Sequence, residues 1–350
     1  MSLSSPLEVL VCGTKFGAMY MRAVASNPQF NLIGIHCKGS DRSKKLAEEY
    51  RVPLLTSLED IPKKDHSKAA IAVVAIRSSV LGGESESVAS SLMKRGYDVL
   101  IEPPIRSKEL ADLIKSARSS ERKLAVANMY AHLPHIAAFL KAFSDVAKKR
   151  RPFLIEVGTS FHTVAFLSKI LDAMMPGSAL RINKVSTEGP FRRISAQLAN
   201  TALSMLIHNE VDDAAPDAYV HATMRFSAHF PEGTLHLVEA CGPLLWLPAM
   251  KTVGYSKVGL PLSNETTHPI ECLMEEDRRN SSIWISDGWT CAISENILNF
   301  ASATKNLNAS DVLCSRNWST ITKAIGYPSS VHVAYEEEGL TDSLKRALGE

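Results

Sequence analysis

The chain has 350 residues, 45% of them hydrophobic, which exceeds one typical domain and supports a sizeable core. A formal net charge of +2 gives no reason to invoke nucleic acid or an anionic membrane. Six scattered cysteines without a Cys-x-x-Cys pair predict reduced thiols in a cytoplasmic protein with no metal site, and neither a secretion signal nor a membrane span is expected. Apolar runs at Glu8 to Cys12, Asn31 to His36, Ala69 to Ala75, Asp98 to Ile101 and Lys123 to Ala127 predict strands. Helical spacing falls between them, at Lys44 to Tyr50, Ser85 to Arg95 and Lys108 to Ser119. This alternation predicts an α/β fold whose N-terminal part, residues 1–127, is a Rossmann-like doubly wound parallel sheet. Residues 128–350 are expected to form a second α+β domain on a largely antiparallel sheet, for substrate binding and oligomerisation. Its predicted strands are Phe153 to Thr159, Leu180 to Thr187, Ala218 to Ala228, Thr234 to Cys241 and Ser282 to Trp284. Its predicted helices are Leu133 to Lys149, Thr163 to Met175, Ile194 to Ile207 and Cys291 to Thr304. The run Lys148-Lys149-Arg150-Arg151 reads as a solvated helix end rather than a docking patch.

The first strand enters the turn Gly13-Thr14-Lys15-Phe16-Gly17 and then a helix. Gly13 permits a tight turn and close backbone approach, and the helix opening near Phe16 offers free N–H groups and a positive dipole end to a dinucleotide pyrophosphate. A side chain at Gly13 is expected to leave folding intact while blocking the cofactor. The second strand ends at Lys38-Gly39-Ser40-Asp41-Arg42-Ser43, without the acid that would accept from an adenosine ribose 2′-hydroxyl. Ser40, Arg42 and Ser43 instead suit a 2′-phosphate, so the expected cofactor is NADPH, with capping by Ser40 and Ser43 compatible. Arg77 and Ser78, after the third long strand, are candidates for phosphate and carboxamide contacts. Glu102 reads as a group for the nicotinamide ribose or as a surface carboxylate.

Gly13-Thr14-Lys15-Phe16-Gly17 with Tyr20, Gly39-Ser40-Asp41-Arg42-Ser43, Arg77-Ser78-Ser79-Val80-Leu81-Gly82-Gly83, Tyr130-Ala131-His132-Leu133-Pro134 and Gly242-Pro243-Leu244-Leu245-Trp246 occur in order along the chain. Together they resemble the thiazolinyl imine reductases of siderophore biosynthesis, a branch of the Gfo/Idh/MocA oxidoreductases. The resemblance implies NADPH-dependent reduction of a thiazoline C=N to a thiazolidine, on an intermediate held by a nonribosomal peptide synthetase carrier domain. A homodimer is expected as well.

Dehydrogenases of the wider superfamily place Glu-Lys-Pro where this chain has Glu102-Pro103-Pro104. They also carry an Asp-x-x-x-His pair on a helix corresponding to Ala165 through Asp172, where it is missing. Oxidation of a sugar or polyol therefore lacks its usual base, and a cofactor-sensing regulator without turnover is the third class. The imine reductases often have a histidine at the Pro103 position, so that donor is absent too, and Pro103 remains a candidate cofactor contact. Tyr130 is the candidate general acid for the imine nitrogen, with a protonated His132 as its possible replenisher or replacement. His162 and Thr163 read as helix caps, and Trp246 and Phe191 as core or pocket aromatics.

Overall fold

The computed structural model describes residues 5–65, 70–215, 219–249, 270–279, 281–303 and 308–332. Its first layer runs β1 (Leu7–Cys12), α1 (Gly17–Ser26), β2 (Phe30–His36), α2 (Asp41–Tyr50), β3 (Leu54–Leu55), β4 (Ala70–Val74), α3 (Ser85–Lys94), β5 (Asp98–Ile101), α4 (Ser107–Ser119) and β6 (Leu124–Val126). All six strands are parallel, in the order β3-β2-β1-β4-β5-β6. Helices cover both faces, so the central strands are apolar on both sides. Val9 and Val11 share a core with Tyr20 and Met21 of α1, while Leu10 and Cys12 join Leu92 of α3 and Leu110 of α4.

After a 3-10 turn (Met129–His132) come α5 (Pro134–Ala147), β7 (Leu154–Ser160) and α6 (Val164–Met174). Then follow β8 (Leu180–Glu188), β9 (Phe191–Leu198), β10 (Thr201–His208), β11 (Glu210–Asp212), β12 (Met224–Phe230), β13 (Gly233–Leu237), β14 (Leu244–Pro248) and β15 (Glu271–Met274). The second sheet has eight strands in the order β15-β14-β13-β12-β7-β10-β9-β8, antiparallel except for the β7–β10 pair. The chain continues through α7 (Ser281–Ile283), which runs into a π-helical turn (Trp284–Trp289), α8 (Thr290–Ser302), α9 (Asn308–Ile325) and β16 (Ser329–Val331). β16 pairs with β11. The inner face of the second sheet shares its apolar core with α1, through Tyr130, Ile136 and Phe139.

α8 and α9 return to the first layer and close its open edge at β6. Asp311 of α9 accepts the Val126 N–H at 3.1 Å, and Lys169 of α6 donates to the Val126 carbonyl and, at 2.7 Å, to Asp311. Asn296 of α8 accepts the Asn128 N–H at 3.0 Å. Side chains thus take up the outward-facing N–H and carbonyl of Val126, where a seventh strand would otherwise pair.

The sheet classes agree with the sequence reading, and three elements differ from it. The helix expected at Ile194 to Ile207 is the β9–β10 hairpin: Ile194, Ala196, Leu198, Leu203, Met205 and Ile207 are buried in alternation, which is strand periodicity. Ser282 to Trp284, expected as a strand, is helical. The strand expected from Ala218 begins at Met224, and Ala218 itself lies outside the described residues. Lys148 pairs with Asp145 at 2.8 Å and Arg150 bonds Glu232, so part of the basic run is neutralised locally.

Candidate functional site

The strand order reverses between β1 and β4, and in an open α/β sheet the crevice beyond such a point receives the ligand. Gly13 sits there with φ +99°, its N–H donating to the His36 carbonyl at 2.9 Å. A Cβ at Gly13 would stand 2.4 Å from the Ala75 carbonyl oxygen. Any side chain therefore strikes the neighbouring strand's backbone as well as the ligand space, which corrects the expectation that enlarging Gly13 spares folding. Gly17 brings α1 against the sheet: its Cβ would lie 3.4 Å from Val11. Phe16 occupies the N-cap of α1 without a side-chain cap, and no acid stands in the first turn. The positive helix end is thus left open to an anion, beside the partly buried Thr14 and the exposed Lys15.

Ser40 is the N-cap of α2, and its hydroxyl accepts the Ser43 N–H at 3.4 Å. Ser43 is fully buried and its hydroxyl donates to the Ser40 carbonyl at 2.6 Å, so it braces the turn instead of facing a phosphate. Ser40 and Arg42 are exposed. Lys38 pairs with Glu84 at 2.9 Å, a cation already matched by an acid. Past β4 the loop doubles back under itself, with the Gly83 N–H donating to the Ser78 carbonyl at 2.8 Å and the Ser85 N–H to the Arg77 carbonyl at 3.2 Å. The close approach requires glycine: a Cβ at Gly83 would stand 1.9 Å from the Arg77 carbonyl oxygen. Arg77 is exposed at the crevice end of β4, whereas Ser78 is buried with a hydroxyl that has no hydrogen-bond partner. A buried orphan hydroxyl, an uncapped helix end and a glycine cradle fit a dinucleotide.

Glu102 is buried, not a surface carboxylate. The Tyr20 hydroxyl of α1 donates to its Oε1, its N–H donates to the Val74 carbonyl at 3.0 Å, and the chain then passes through Pro103 and a cis bond to Pro104. Burial raises the Glu102 carboxyl to about 7, against the opposing effects of the Tyr20 bond and the Lys169 charge. Tyr130 is 5% exposed, with ring centroids 4.9 Å from Phe166 and 6.1 Å from Trp289. Phe16 lies 6.0 Å from Trp289 and 5.9 Å from Tyr20, so one chain of rings joins the cofactor turn to the candidate acid. Burial first, then the charges of Glu239 and Glu102, push the Tyr130 phenol well above its ordinary value. Its hydroxyl makes no hydrogen bond with the described residues, which leaves the proton available to a ligand.

His132 is placed differently. Its ring nitrogens lie 3.4 Å from the side-chain amides of Asn296 and Asn299, and burial lowers its pKa. Burial thus disfavours the charged imidazole that a proton-donating His132 would need. Ser160 and Thr163 form a capping box on the 3-10 turn Phe161–Thr163 that leads into α6, but at the N-cap of α6 itself Thr163 makes no side-chain cap, and His162 lies against Phe161, so neither residue caps α6 as expected. Phe191 lies tilted against His208 with ring centroids 5.4 Å apart, and Trp246 lies over Gly233, whereas the rings against Tyr130 are Phe166 and Trp289. Glu239, Trp289 and Lys169 escaped the sequence reading. Their positions carry no local motif, and each reaches the site from an element distant in the chain. No group of three or more metal-ligating side chains occurs among the described residues, and no described helix is long and apolar enough to cross a membrane.

Residues 7–128 match the Gfo/Idh/MocA family model, an oxidoreductase family with an NAD-binding Rossmann fold. A search of the curated proteins gives no match. Similar solved structures include GenD2 from gentamicin A biosynthesis in complex with NAD, at 14% identity and TM-score 0.63, covering 93% of this chain and 95% of that one. A 3-ketoreductase from Actinomadura kijaniata in complex with NADP and TDP-benzene is 10% identical at TM-score 0.65, with 94% and 100% covered. The UDP-N-acetylglucosamine 3-dehydrogenase of Acidithiobacillus ferrooxidans is 15% identical at TM-score 0.62, with 91% and 96% covered. At these identities the likeness is one of fold, and it extends through both sheets. The match to that family's NAD-binding Rossmann fold thus spans residues 7–128, and beyond them the likeness is to the fold of these structures.

Proposed function

We propose that this protein is an NADPH-dependent imine reductase that converts a thiazoline C=N to a thiazolidine on a nonribosomal peptide synthetase carrier domain. Residues 1–127 hold the cofactor and residues 128–350 hold the substrate. The observation that carries the reading is the set of protonic groups beside β5. The lysine position of the sugar dehydrogenases is Pro103, and the lysine that α6 does supply, Lys169, is spent on Val126 and Asp311. An alcohol substrate must lose its hydroxyl proton to a base, whereas an imine must gain a proton at nitrogen. The unbonded phenol of Tyr130 serves the second demand and not the first.

The residues present divide the remaining work. Gly13 and the open end of α1 hold the pyrophosphate, Ser40 and Arg42 receive the 2′-phosphate, and Ser78 bonds the carboxamide. A bound reduced nicotinamide supplies the hydride. Phe166 and Trp289 keep water from the Tyr130 ring and orient its hydroxyl toward the acceptor nitrogen. The second reading, a sugar or ketosugar oxidoreductase, takes its support from what the similar structures act on. The two separate on one assay: NADPH consumption with a thiazoline thioester analogue, against NADP reduction with a panel of polyols and nucleotide sugars. Turnover confined to the sugar panel would overturn the proposal.

A further inference from the structure

Tyr130 stands in a single 3-10 turn of four residues, Met129–His132, closed by the Leu133 N–H donating to the Tyr130 carbonyl at 3.2 Å. So short a turn is not stable by itself, and what holds the phenol in place must come from outside it. Asn296 of α8 reaches both of its ends. Its Oδ1 accepts the N–H of Asn128, the residue before the turn, at 3.0 Å, and its Nδ2 lies 3.4 Å from Nε2 of His132, the residue that ends it. Asn296 is only 9% exposed, and on the same helix the Ser294 hydroxyl donates to the Ala23 carbonyl of α1 at 3.2 Å. Trp289, at the N-cap of α8, sets its ring 6.1 Å from that of Tyr130. One helix thus ties the turn to α1, whose open N-terminal end is the candidate phosphate site.

We propose that Asn296 is a positioning residue, which fixes the Tyr130 hydroxyl relative to α1 and keeps Nε2 of His132 unprotonated. The proposal rests on the reading of Tyr130 as the acid. The orientation of the amide follows from its partners. A backbone N–H can only donate, so the atom facing Asn128 is the oxygen, and the nitrogen, which also can only donate, is turned to His132. Nε2 must then accept, and the imidazole proton sits on Nδ1, toward the Asn299 side chain at 3.4 Å. Protonating Nε2 would set two donors against each other. Burial also disfavours the charged ring, while Glu295 of α8 favours it and Lys169 of α6 opposes it. For Tyr130 the consequence is geometric. Hydride and proton must reach adjacent atoms of the acceptor double bond, so a turn displaced by about 1 Å costs up to about 10²-fold in rate.

The first arm of the test is single-turnover hydride transfer from NADPH, read with whichever acceptor the protein reduces, a thiazoline or a ketone. Asn296→Ala should lower that rate by about 10- to 100-fold while NADPH affinity stays within about 2-fold. Made in Tyr130→Phe, the same substitution should change the rate by no more than about 2-fold, because nothing is left to position. Equal losses in the two backgrounds, or a wild-type rate in Asn296→Ala, overturn the proposal. Reduction of neither acceptor, or a wild-type rate in Tyr130→Phe, overturns the acid assignment and the proposal with it. Reduction of a ketone but not a thiazoline, with the coupling intact, overturns the imine reading and leaves the positioning role standing. The second arm needs no turnover. Asn296→Asp keeps the side chain's size and an oxygen for the Asn128 N–H, but it turns an acceptor to His132 and allows Nε2 to carry a proton. Nuclear magnetic resonance of isotope-labelled histidines in the cofactor-free protein should show the His132 ring, identified by its absence in His132→Gln, titrating at least about one pH unit higher in that variant. An unmoved His132 titration overturns the proposal.

Discussion

Replacing Glu102 by glutamine is expected to make folding stability less sensitive to alkali. The carboxyl is raised from 4.5 to about 7 by burial, so the fold binds this proton more tightly than the unfolded chain does. The resulting stabilisation is complete below the unfolded value, declines once pH rises past it, and is gone above the folded one. At about 1.4 kcal/mol for each pH unit, the rise from 4.5 to about 7 corresponds to about 3 kcal/mol lost between pH 4 and pH 8. Glutamine keeps the side chain's size and an oxygen for the Tyr20 hydroxyl, but it does not ionise. Urea unfolding of the cofactor-free wild type and Glu102→Gln, at pH 4 and pH 8, isolates the effect as a difference of differences. The wild type should lose about 3 kcal/mol relative to the variant over that range. An equal stability gap at both pH values would mean that Glu102 ionises without penalty, and the account of its burial would be wrong.

Arg42→Ala should weaken NADPH by about 10- to 150-fold in a fluorescence titration and leave NADH nearly unchanged, since a charge-assisted bond contributes about 1.5–3 kcal/mol. Identical NADPH curves would remove Arg42 from the site. Gly13→Ala should cost about 1–3 kcal/mol for its left-handed backbone alone, and the clash with the Ala75 carbonyl adds to that. An unchanged urea midpoint together with unchanged NADPH affinity would contradict the geometry of the strand junction. Tyr130→Phe breaks no hydrogen bond among the described residues, so its unfolding curve should match the wild type while thiazoline turnover falls about 10²-fold. Wild-type single-turnover rates in that variant would exclude the phenol as donor.

What could be read from the chain alone tracks how local each determinant is. The parallel strands were legible because burial on both faces writes itself as an apolar run within five or six residues, and Gly13 and Tyr130 announced themselves by their places at strand ends. The β9–β10 hairpin was not legible because its turn contains Ala199 at φ 54°, where no glycine or proline punctuates the sequence. Without that break, Ile194 to Ile207 reads as one continuous amphipathic stretch and the period-2 burial is lost. In the site the same logic separates the cofactor cradle from the Glu102 carboxyl. The glycine turn and Ser40 act within a few residues of themselves, whereas Glu102 takes its character from Tyr20, 82 positions earlier, and from Lys169 across the cleft. Lys169 is in turn held by Asp311, which lies 142 positions further on and also accepts the Val126 N–H of β6. The chemistry of the carboxyl is therefore a property of the closed fold. Loosening the α6–α9 contact should alter how Glu102 titrates without touching a residue in the cleft, because removing Asp311 frees the Lys169 ammonium that holds the Glu102 pKa down.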